Sequence, residues 1–190
     1  MLRIGIFASG SGTNFENIVQ ACENKQIDGE VIVLVCNNKY AKALDRAKKH
    51  NIPTIVVDYN DINRVDLEHS LLIELSKYNL DLICLCGFMK QFTPLFVNAY
   101  KNLILNVHPS LLPKYKGINA IKKAFDNKED KTGVTIHFVD EELDNGKIIL
   151  QQEIDIKGLT LKEVEEKVHQ VEYKLYIDAI NKVKGTIKYE

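Results

Sequence analysis

The stretch LRIGIFASGSGTNFENI (residues 2–18) runs from an apolar segment through a glycine-rich loop into a helical pattern. Residues 2–8 are largely apolar, as expected of a strand that is covered on both faces. Over residues 14–25 the apolar side chains recur on one side of a helix: Phe15, Ile18, Val19 and Cys22. A strand that leads through a short loop into a helix is the repeating unit of an α/β fold, so this stretch predicts the fold class.

The alternation of strands and helices continues along most of the chain. Further strand-like runs lie at residues 30–36, 53–57, 80–88 and 103–108. Helical patterns lie at residues 40–50, 65–78, 94–100 and 119–127. Two consecutive strand-like runs follow, 132–140 and 146–156, joined by a hairpin-sized loop at 141–145 and followed by a helix over about 161–183. In the first run, alternation places Val134, Ile136 and Phe138 inside and Thr135, His137 and Val139 on the opposite face.

We therefore predict one α/β domain over residues 1–190, with a doubly wound, mostly parallel twisted sheet. Helices should cover both faces, as in a Rossmann-like architecture, and the C-terminal hairpin should be antiparallel. In such sheets, ligands bind beyond the carboxyl ends of the strands, where the strand order reverses. Three segments follow predicted strands at that edge: residues 9–14, 87–92 and 106–117.

Composition narrows the classes of function. The chain has 190 residues and a net charge of −1, so neither nucleic acid nor an anionic membrane surface is expected as the main partner. No apolar stretch approaches the roughly 20 residues that span a bilayer. The apolar start is soon broken by glycine, so we read it as a core strand and not as a signal peptide, and we expect a cytoplasmic protein. The four cysteines are expected to be buried, reduced thiols.

The loop SGSGTN (residues 9–14) combines two glycines with the start of a helix. Glycines permit close backbone approach, and a helix N-terminus offers free N–H groups to a phosphate. The alternative is a simple strand–helix turn that Thr13 or Asn14 caps. A dinucleotide is less expected, because Phe15 stands where the fingerprint has a third glycine and Asn37 ends strand two in place of an acid. The sequence therefore favours a monophosphate.

The segment NVHPSLLPKYKG (residues 106–117) carries Asn106 and His108 on one face of strand five, at its carboxyl edge. An amide N–H and an imidazolium together suit the stabilisation of a carbonyl oxygen that becomes an oxyanion. Asp144, in DEELDNGKIILQ (140–151), could raise the pKa of an imidazole and accept a proton through water. Taken singly, His108 would more often make a structural hydrogen bond, and Asp144 would more often be a solvated turn residue.

Four segments together resemble the phosphoribosylglycinamide formyltransferase family: GSGTN (10–14), GFMKQF (87–92), residues 106–117 and HFVDEELDNGKIILQ (137–151). The resemblance covers nearly the whole chain. It implies transfer of a formyl group from 10-formyltetrahydrofolate to the amine of glycinamide ribonucleotide (GAR) in de novo purine biosynthesis. It implies no metal, and a monomer or weak homodimer that binds small molecules only.

The resemblance also implies roles for individual residues. The catalytic residues would be Asn106, His108 and Asp144. The ribonucleotide would contact Gly12, Thr13, Asn14, Gln170 and Glu172. The folate would contact Arg64, Met89, Lys90, Gln91, Phe92, Val97, Ile104, Asn106, Asp140, Glu141, Glu142, Leu143 and Asp144. Lys90 and Gln91 depart from the arginine and aliphatic residue usual in the family, and lysine lacks the fork geometry of arginine.

Several other functions fit parts of the pattern. A formyltetrahydrofolate deformylase uses similar residues and transfers the formyl group to water, but it normally carries an N-terminal regulatory domain that we do not expect here. Methionyl-tRNA and sugar-nucleotide formyltransferases usually carry further domains. A nucleotide-binding module without catalysis is the alternative from another class, and the intact set Asn106, His108 and Asp144 argues against it.

Overall fold

The computed structural model describes residues 1–60 and 63–186. Its strands are β1 Leu2–Ala8, β2 Gly29–Cys36, β3 Thr54–Val56, β4 Leu82–Leu85, β5 Ile104–His108, β6 Lys131–Phe138 and β7 Ile148–Asp155. Its helices are α1 Thr13–Glu23, α2 Lys42–Lys49, α3 Arg64–Ser76, α4 Pro94–Ala99, α5 Ala120–Asp126 and α6 Leu161–Lys184. The strand order is β3-β2-β1-β4-β5-β6-β7. The predicted α/β class, with a mostly parallel sheet and a C-terminal antiparallel pair, is confirmed.

Residues 1–105 form one compact unit with β1 at its centre. β1 pairs in parallel with β2 on one side and β4 on the other, and β3 pairs in parallel with β2. Ile4, Ile6 and Phe7 are fully buried, which accounts for the apolar run in the sequence. The chain order reverses between β1 and β4, so the loops after these two strands lie where ligands bind in this class of sheet.

Residues 106–186 form a second compact unit. β6 and β7 are antiparallel as predicted, and their connection spans residues 139–147. α6 packs on both strands. Its first turn has a capping box, in which Thr160 and Glu163 each accept a hydrogen bond from the backbone N–H of the other. Gly133 is required where β6 passes β7, because a Cβ there would lie 2.3 Å from the carbonyl oxygen of Gln152.

The polar face of β6, opposite Val134 and Ile136, is buried as well. Thr135 is 0% exposed and His137 is 2% exposed. The Thr135 hydroxyl donates to the carbonyl of Ser110 and accepts from the Leu112 N–H and the Gln151 amide. Because hydrogen bonds satisfy these polar groups, β6 can be covered on both faces while keeping a polar side in its sequence.

The cysteines are free thiols, three of them buried and Cys22 partly exposed. Burial raises the pKa of the Cys22 thiol to about 11, so it stays protonated near neutral pH. Within residues 1–60 and 63–186, no helix combines the length and the apolar character that a membrane crossing requires.

Candidate active site

The second unit brings Asn106, His108 and Asp144 together. β5 carries Asn106 and His108, and the loop between β6 and β7 carries Asp144. One carboxylate oxygen of Asp144 lies 3.3 Å from His108 Nδ1, and the other accepts from the Asn106 amide at 3.3 Å. His108 and Asp144 are buried, at 5% and 8% exposure. Asp144 is therefore not the solvated turn residue that its Asp-Asn-Gly context favours.

The Asp144 carboxylate is held ionised by its surroundings. Burial opposes ionisation, but the contact with His137, the hydrogen bond from the Gly117 N–H and the nearby His108 imidazole outweigh it. Together they lower the pKa of Asp144 below its ordinary value. The Gly117 N–H donates at 2.7 Å, and Asp144 itself adopts a left-handed φ of 49°. The segment after β5 thus helps to fix the carboxylate.

The second ring nitrogen of His108 faces the backbone of the same segment. His108 Nε2 lies 2.8 Å from the carbonyl oxygen of Tyr115, which can only accept a hydrogen bond. Tyr115 has a left-handed φ of 56°, and its hydroxyl donates to Glu129 at 2.8 Å. Ser110 donates to the Lys114 carbonyl at 2.6 Å. Both nitrogens of the imidazole therefore face acceptors, which a doubly protonated ring satisfies.

His137 joins this cluster, although the sequence reasoning gave it no role. Its Nδ1 lies 2.8 Å from its neighbour's carbonyl oxygen, that of Phe138, so Nδ1 carries a proton. Its Nε2 lies 3.2 Å from the Asn106 amide nitrogen and 3.5 Å from Asp144. The two amide hydrogens of Asn106 are thus directed at Asp144 and His137. The sequence feature that could have marked His137 is its position on the polar face of β6, the strand next to β5, which carries two of the predicted catalytic residues.

In the first unit, the glycine loop leads into α1 through a left-handed residue. Gly12, with φ 70°, is the N-cap, and its carbonyl accepts from the Glu16 N–H at 2.9 Å. Gly12 has no side chain to cap the helix, so neither Thr13 nor Asn14 occupies the N-cap position that the alternative reading gave them. A Cβ on Gly12 would lie 2.7 Å from the Ala43 side chain. Close packing on α2 and the positive φ both require glycine here.

The loops after β1, β2 and β4 are tied together by Ser9. The Ser9 hydroxyl donates to the Asn37 side chain and accepts from the Met89 N–H at 2.8 Å. Asn37 therefore connects loops at the position where a dinucleotide site would have an acidic residue. Sequence reasoning did not single out Ser9, because the partners of a loop hydroxyl depend on how the strands pair.

The predicted folate residues of the first unit are of two kinds. Phe92, Val97 and Ile104 are buried, and Phe92 stacks on Phe96 with ring centroids 4.2 Å apart. Phe7 and Phe88 belong to the same aromatic cluster. The others lie at the surface, with Lys90 partly buried: Arg64, Met89, Lys90 and Gln91.

The other predicted contacts lie in the second unit. In the β6–β7 loop, Glu141, Glu142 and Leu143 are exposed and Asp140 is partly buried. On α6, Gln170 is exposed, whereas Glu172 is buried and pairs with His169 Nδ1 at 3.0 Å. That hydrogen bond raises the pKa of His169 despite the opposing effect of burial. Among residues 1–60 and 63–186, no group of three or more histidine, cysteine or acidic side chains is placed to hold a metal ion.

The chain is similar in sequence to known proteins. The sequence matches the formyl transferase family over residues 2–180. It is 35% identical over 187 residues to the phosphoribosylglycinamide formyltransferase of Bacillus subtilis strain 168, covering 97% of this chain and 96% of that protein. It is also 40% identical to the trifunctional purine biosynthetic protein adenosine-3 of Chironomus tentans, covering 95% of this chain but only 14% of that larger protein.

Solved structures agree with the sequence comparison. Phosphoribosylglycinamide formyltransferase from Bacillus halodurans superposes with a TM-score of 0.91 at 38% identity, covering 95% of this chain and 94% of that one. Glycinamide ribonucleotide transformylase 1 from Geobacillus kaustophilus gives a TM-score of 0.92 at 39% identity, covering 96% and 98%.

Proposed function

The chain belongs to the phosphoribosylglycinamide formyltransferase family, and from this premise we propose how its residues move a formyl group from 10-formyltetrahydrofolate to the amine of GAR in purine biosynthesis. The observation that carries the mechanism is the buried cluster in which Asp144 contacts both Asn106 and His108. An amide and an imidazole held by one carboxylate suit the stabilisation of an oxyanion and the movement of one proton.

The first step is attack of the GAR amine on the formyl carbon. The carbon–nitrogen bond forms, and the carbonyl π electrons move to oxygen, giving a tetrahedral oxyanion. His108 and Asn106 stabilise this oxyanion by hydrogen bonds, which strengthen as the negative charge develops. Collapse of the intermediate re-forms the carbonyl and breaks the bond to the folate nitrogen, so the products are formyl-GAR and tetrahydrofolate.

His108 must give up one of the acceptors at its two ring nitrogens for this step, and Asn106 must exchange a partner as well. Its two amide hydrogens are directed at Asp144 and His137, so the formyl oxygen takes the place of one of these acceptors. His137 is the weaker competitor, because a neutral imidazole nitrogen binds a hydrogen less strongly than a carboxylate does. His137 thereby orients the amide before substrate arrives.

Asp144 supports the proton transfer. Its carboxylate lies 3.3 Å from His108 Nδ1 and holds the ring in place, and we assign the donor role to the imidazolium form, which is the stronger donor to an oxyanion. Through a water molecule Asp144 takes the proton from the attacking nitrogen and returns it to the departing folate nitrogen. One proton moves, and no covalent enzyme intermediate forms.

The remaining predicted residues are assigned to binding. We place the GAR phosphate on Gly12, Thr13 and Asn14, at the N-terminus of α1, and the GAR amine near Glu172, with Gln170 beside it. The folate is assigned to Arg64, Met89, Lys90, Gln91, Phe92, Val97, Ile104 and residues 140–144, and Asn106 contacts it during transfer. A cytoplasmic enzyme that acts as a monomer or weak homodimer on small molecules, without a metal, remains our expectation.

A product assay separates the three candidate functions. Purified protein is incubated with 10-formyltetrahydrofolate in the presence and absence of GAR, and both formyl-GAR and tetrahydrofolate are quantified. A transferase releases tetrahydrofolate only with GAR, in equal amount to formyl-GAR. Release without GAR would identify a hydrolase, and no release in either case would identify a binding module.

A further inference from the structure

The glycine loop of the first unit is braced from behind by α2. The Ala43 N–H donates to the carbonyl of Gly10 at 3.1 Å, and Arg46 Nε donates to the carbonyl of Ser11 at 2.9 Å. The Ala43 side chain closes the space beside Gly12. Two consecutive carbonyls of the loop thus point at one helix.

These two carbonyls fix the direction of the N–H groups that follow them. In a planar trans peptide, the C=O and the next N–H point to opposite sides. Because Gly10 and Ser11 turn their carbonyls towards α2, the N–H groups of Ser11 and Gly12 turn away from it. Adjacent N–H groups that point the same way before a helix form a concave anion site.

Arg46 also controls the local charge. Its Nη1 pairs with Glu16 at 3.3 Å, in the first turn of α1. His50 Nε2 approaches the same carboxylate at 2.9 Å. Burial opposes ionisation of Glu16, but the hydrogen bonds from His50 and Arg46 outweigh it, so the pKa of Glu16 is lowered. Without Arg46, less positive charge would offset the negative charge of Glu16 beside any bound phosphate.

We propose that Arg46 is a positioning residue for the phosphate of the substrate, acting through the Ser11–Gly12 peptide and through Glu16. The proposal rests on the assignment of the GAR phosphate to this loop. Loss of Arg46 loosens the peptide and uncovers a negative charge, and both effects weaken phosphate binding without touching the formyl chemistry.

The test compares Arg46→Met with wild type on two substrates, GAR and its dephosphorylated nucleoside. We expect the KM for GAR to rise about tenfold, with kcat within about twofold. We expect kcat/KM for the nucleoside to be unchanged, because the nucleoside has no phosphate for Arg46 to position. Inhibition by ribose 5-phosphate should weaken by the same factor as GAR binding. Arg46→Lys should recover part of the loss by keeping the charge.

Lys49→Met is the matched control, since Lys49 is an exposed cation one turn further along α2. It changes the net charge equally and should leave the KM for GAR unchanged. An equal loss on GAR and on the nucleoside would show a merely structural role and overturn the proposal, as would a normal KM for GAR in Arg46→Met. If wild type itself forms no formyl-GAR, the proposed function fails first, and ribose 5-phosphate binding by the two proteins still tests Arg46.

Discussion

The Nε2 nitrogen of His108 lies 2.8 Å from the carbonyl oxygen of Tyr115. Asp144 occupies the other ring nitrogen, so the imidazole is fixed from both sides. To donate to an oxyanion, His108 must release one of these two acceptors, and the segment that follows it in the chain orients the ring in advance, which lowers the cost of organising the transition state.

Loss of the Tyr115 hydroxyl should disturb His108 indirectly. Tyr115→Phe removes the hydrogen bond to Glu129 that anchors a residue with left-handed φ. We expect kcat to fall by up to about tenfold with KM values nearly unchanged, because the carbonyl that orients His108 becomes less well placed. Steady-state kinetics with both substrates measure this split.

Lys114→Met is the control for Tyr115→Phe. Lys114 contacts the same Glu129, but its side chain is 64% exposed. We expect near-normal kcat for it. A loss in Lys114→Met as large as in Tyr115→Phe would contradict the role given to the Tyr115 hydroxyl.

Replacing His137 should impair the orientation of Asn106. His137→Phe removes the acceptor that faces the Asn106 amide at 3.2 Å. We expect kcat to fall about tenfold, the cost of one misdirected buried hydrogen bond. The exposed His69 of α3 gives the control His69→Phe. Unchanged kcat in His137→Phe would show that Asn106 needs no such support.

Acid should destabilise the protein partly through Asp144. The pKa of this carboxyl is lowered in the folded state, so its contribution to stability is present above the unfolded pKa and is lost as the pH falls through the folded pKa. Below roughly pH 5, the free energy of unfolding should therefore fall more steeply for wild type than for Asp144→Asn. Urea unfolding at a series of pH values measures the difference.

Asp178→Asn controls for the change of charge, since Asp178 belongs to an exposed i,i+4 pair with Lys174. It should follow the wild-type acid profile. Parallel profiles for wild type and Asp144→Asn would contradict the stabilising environment described for Asp144.

The two glycines of the glycine loop, Gly10 and Gly12, should respond very differently to replacement by alanine. Gly12 has φ 70°, and a Cβ there would overlap Ala43, whereas a Cβ on Gly10 would meet nothing within 4 Å. We expect Gly12→Ala to lower the free energy of unfolding by at least about 1 kcal/mol and to weaken GAR binding. Gly10→Ala should be close to wild type. Thermal unfolding and the KM for GAR check both, and equal effects would refute the distinction.

The order of strands and helices could be predicted from the sequence because the apolar residues clearly follow the periods of the two kinds of element. The predicted segments correspond to the observed strands and helices, with ends shifted by a few residues; β4, for example, ends at Leu85 where the pattern ran to residue 88. The shift has a physical cause: Gly87 takes a φ of 70° and turns the chain out of the sheet.

The candidate active site could be predicted from the sequence only in part. Asn106 and His108 share a strand face, so their proximity follows from the two-residue period. The contacts of His137, and the link from Ser9 to Asn37, depend on strand pairing and on loop conformation, which no local pattern specifies. Burial of the polar face of β6 was missed for the same reason, because its hydrogen-bond partners are distant in the chain.

The most direct test of the account is a single-turnover measurement on His108→Ala with saturating 10-formyltetrahydrofolate and GAR. We predict that the rate of formyl transfer falls at least about 100-fold, because the oxyanion loses its charged donor. Dissociation constants for both substrates should stay within about threefold of wild type, since His108 acts in the transition state. A transfer rate near that of wild type, with both substrates bound, would contradict the central role of His108.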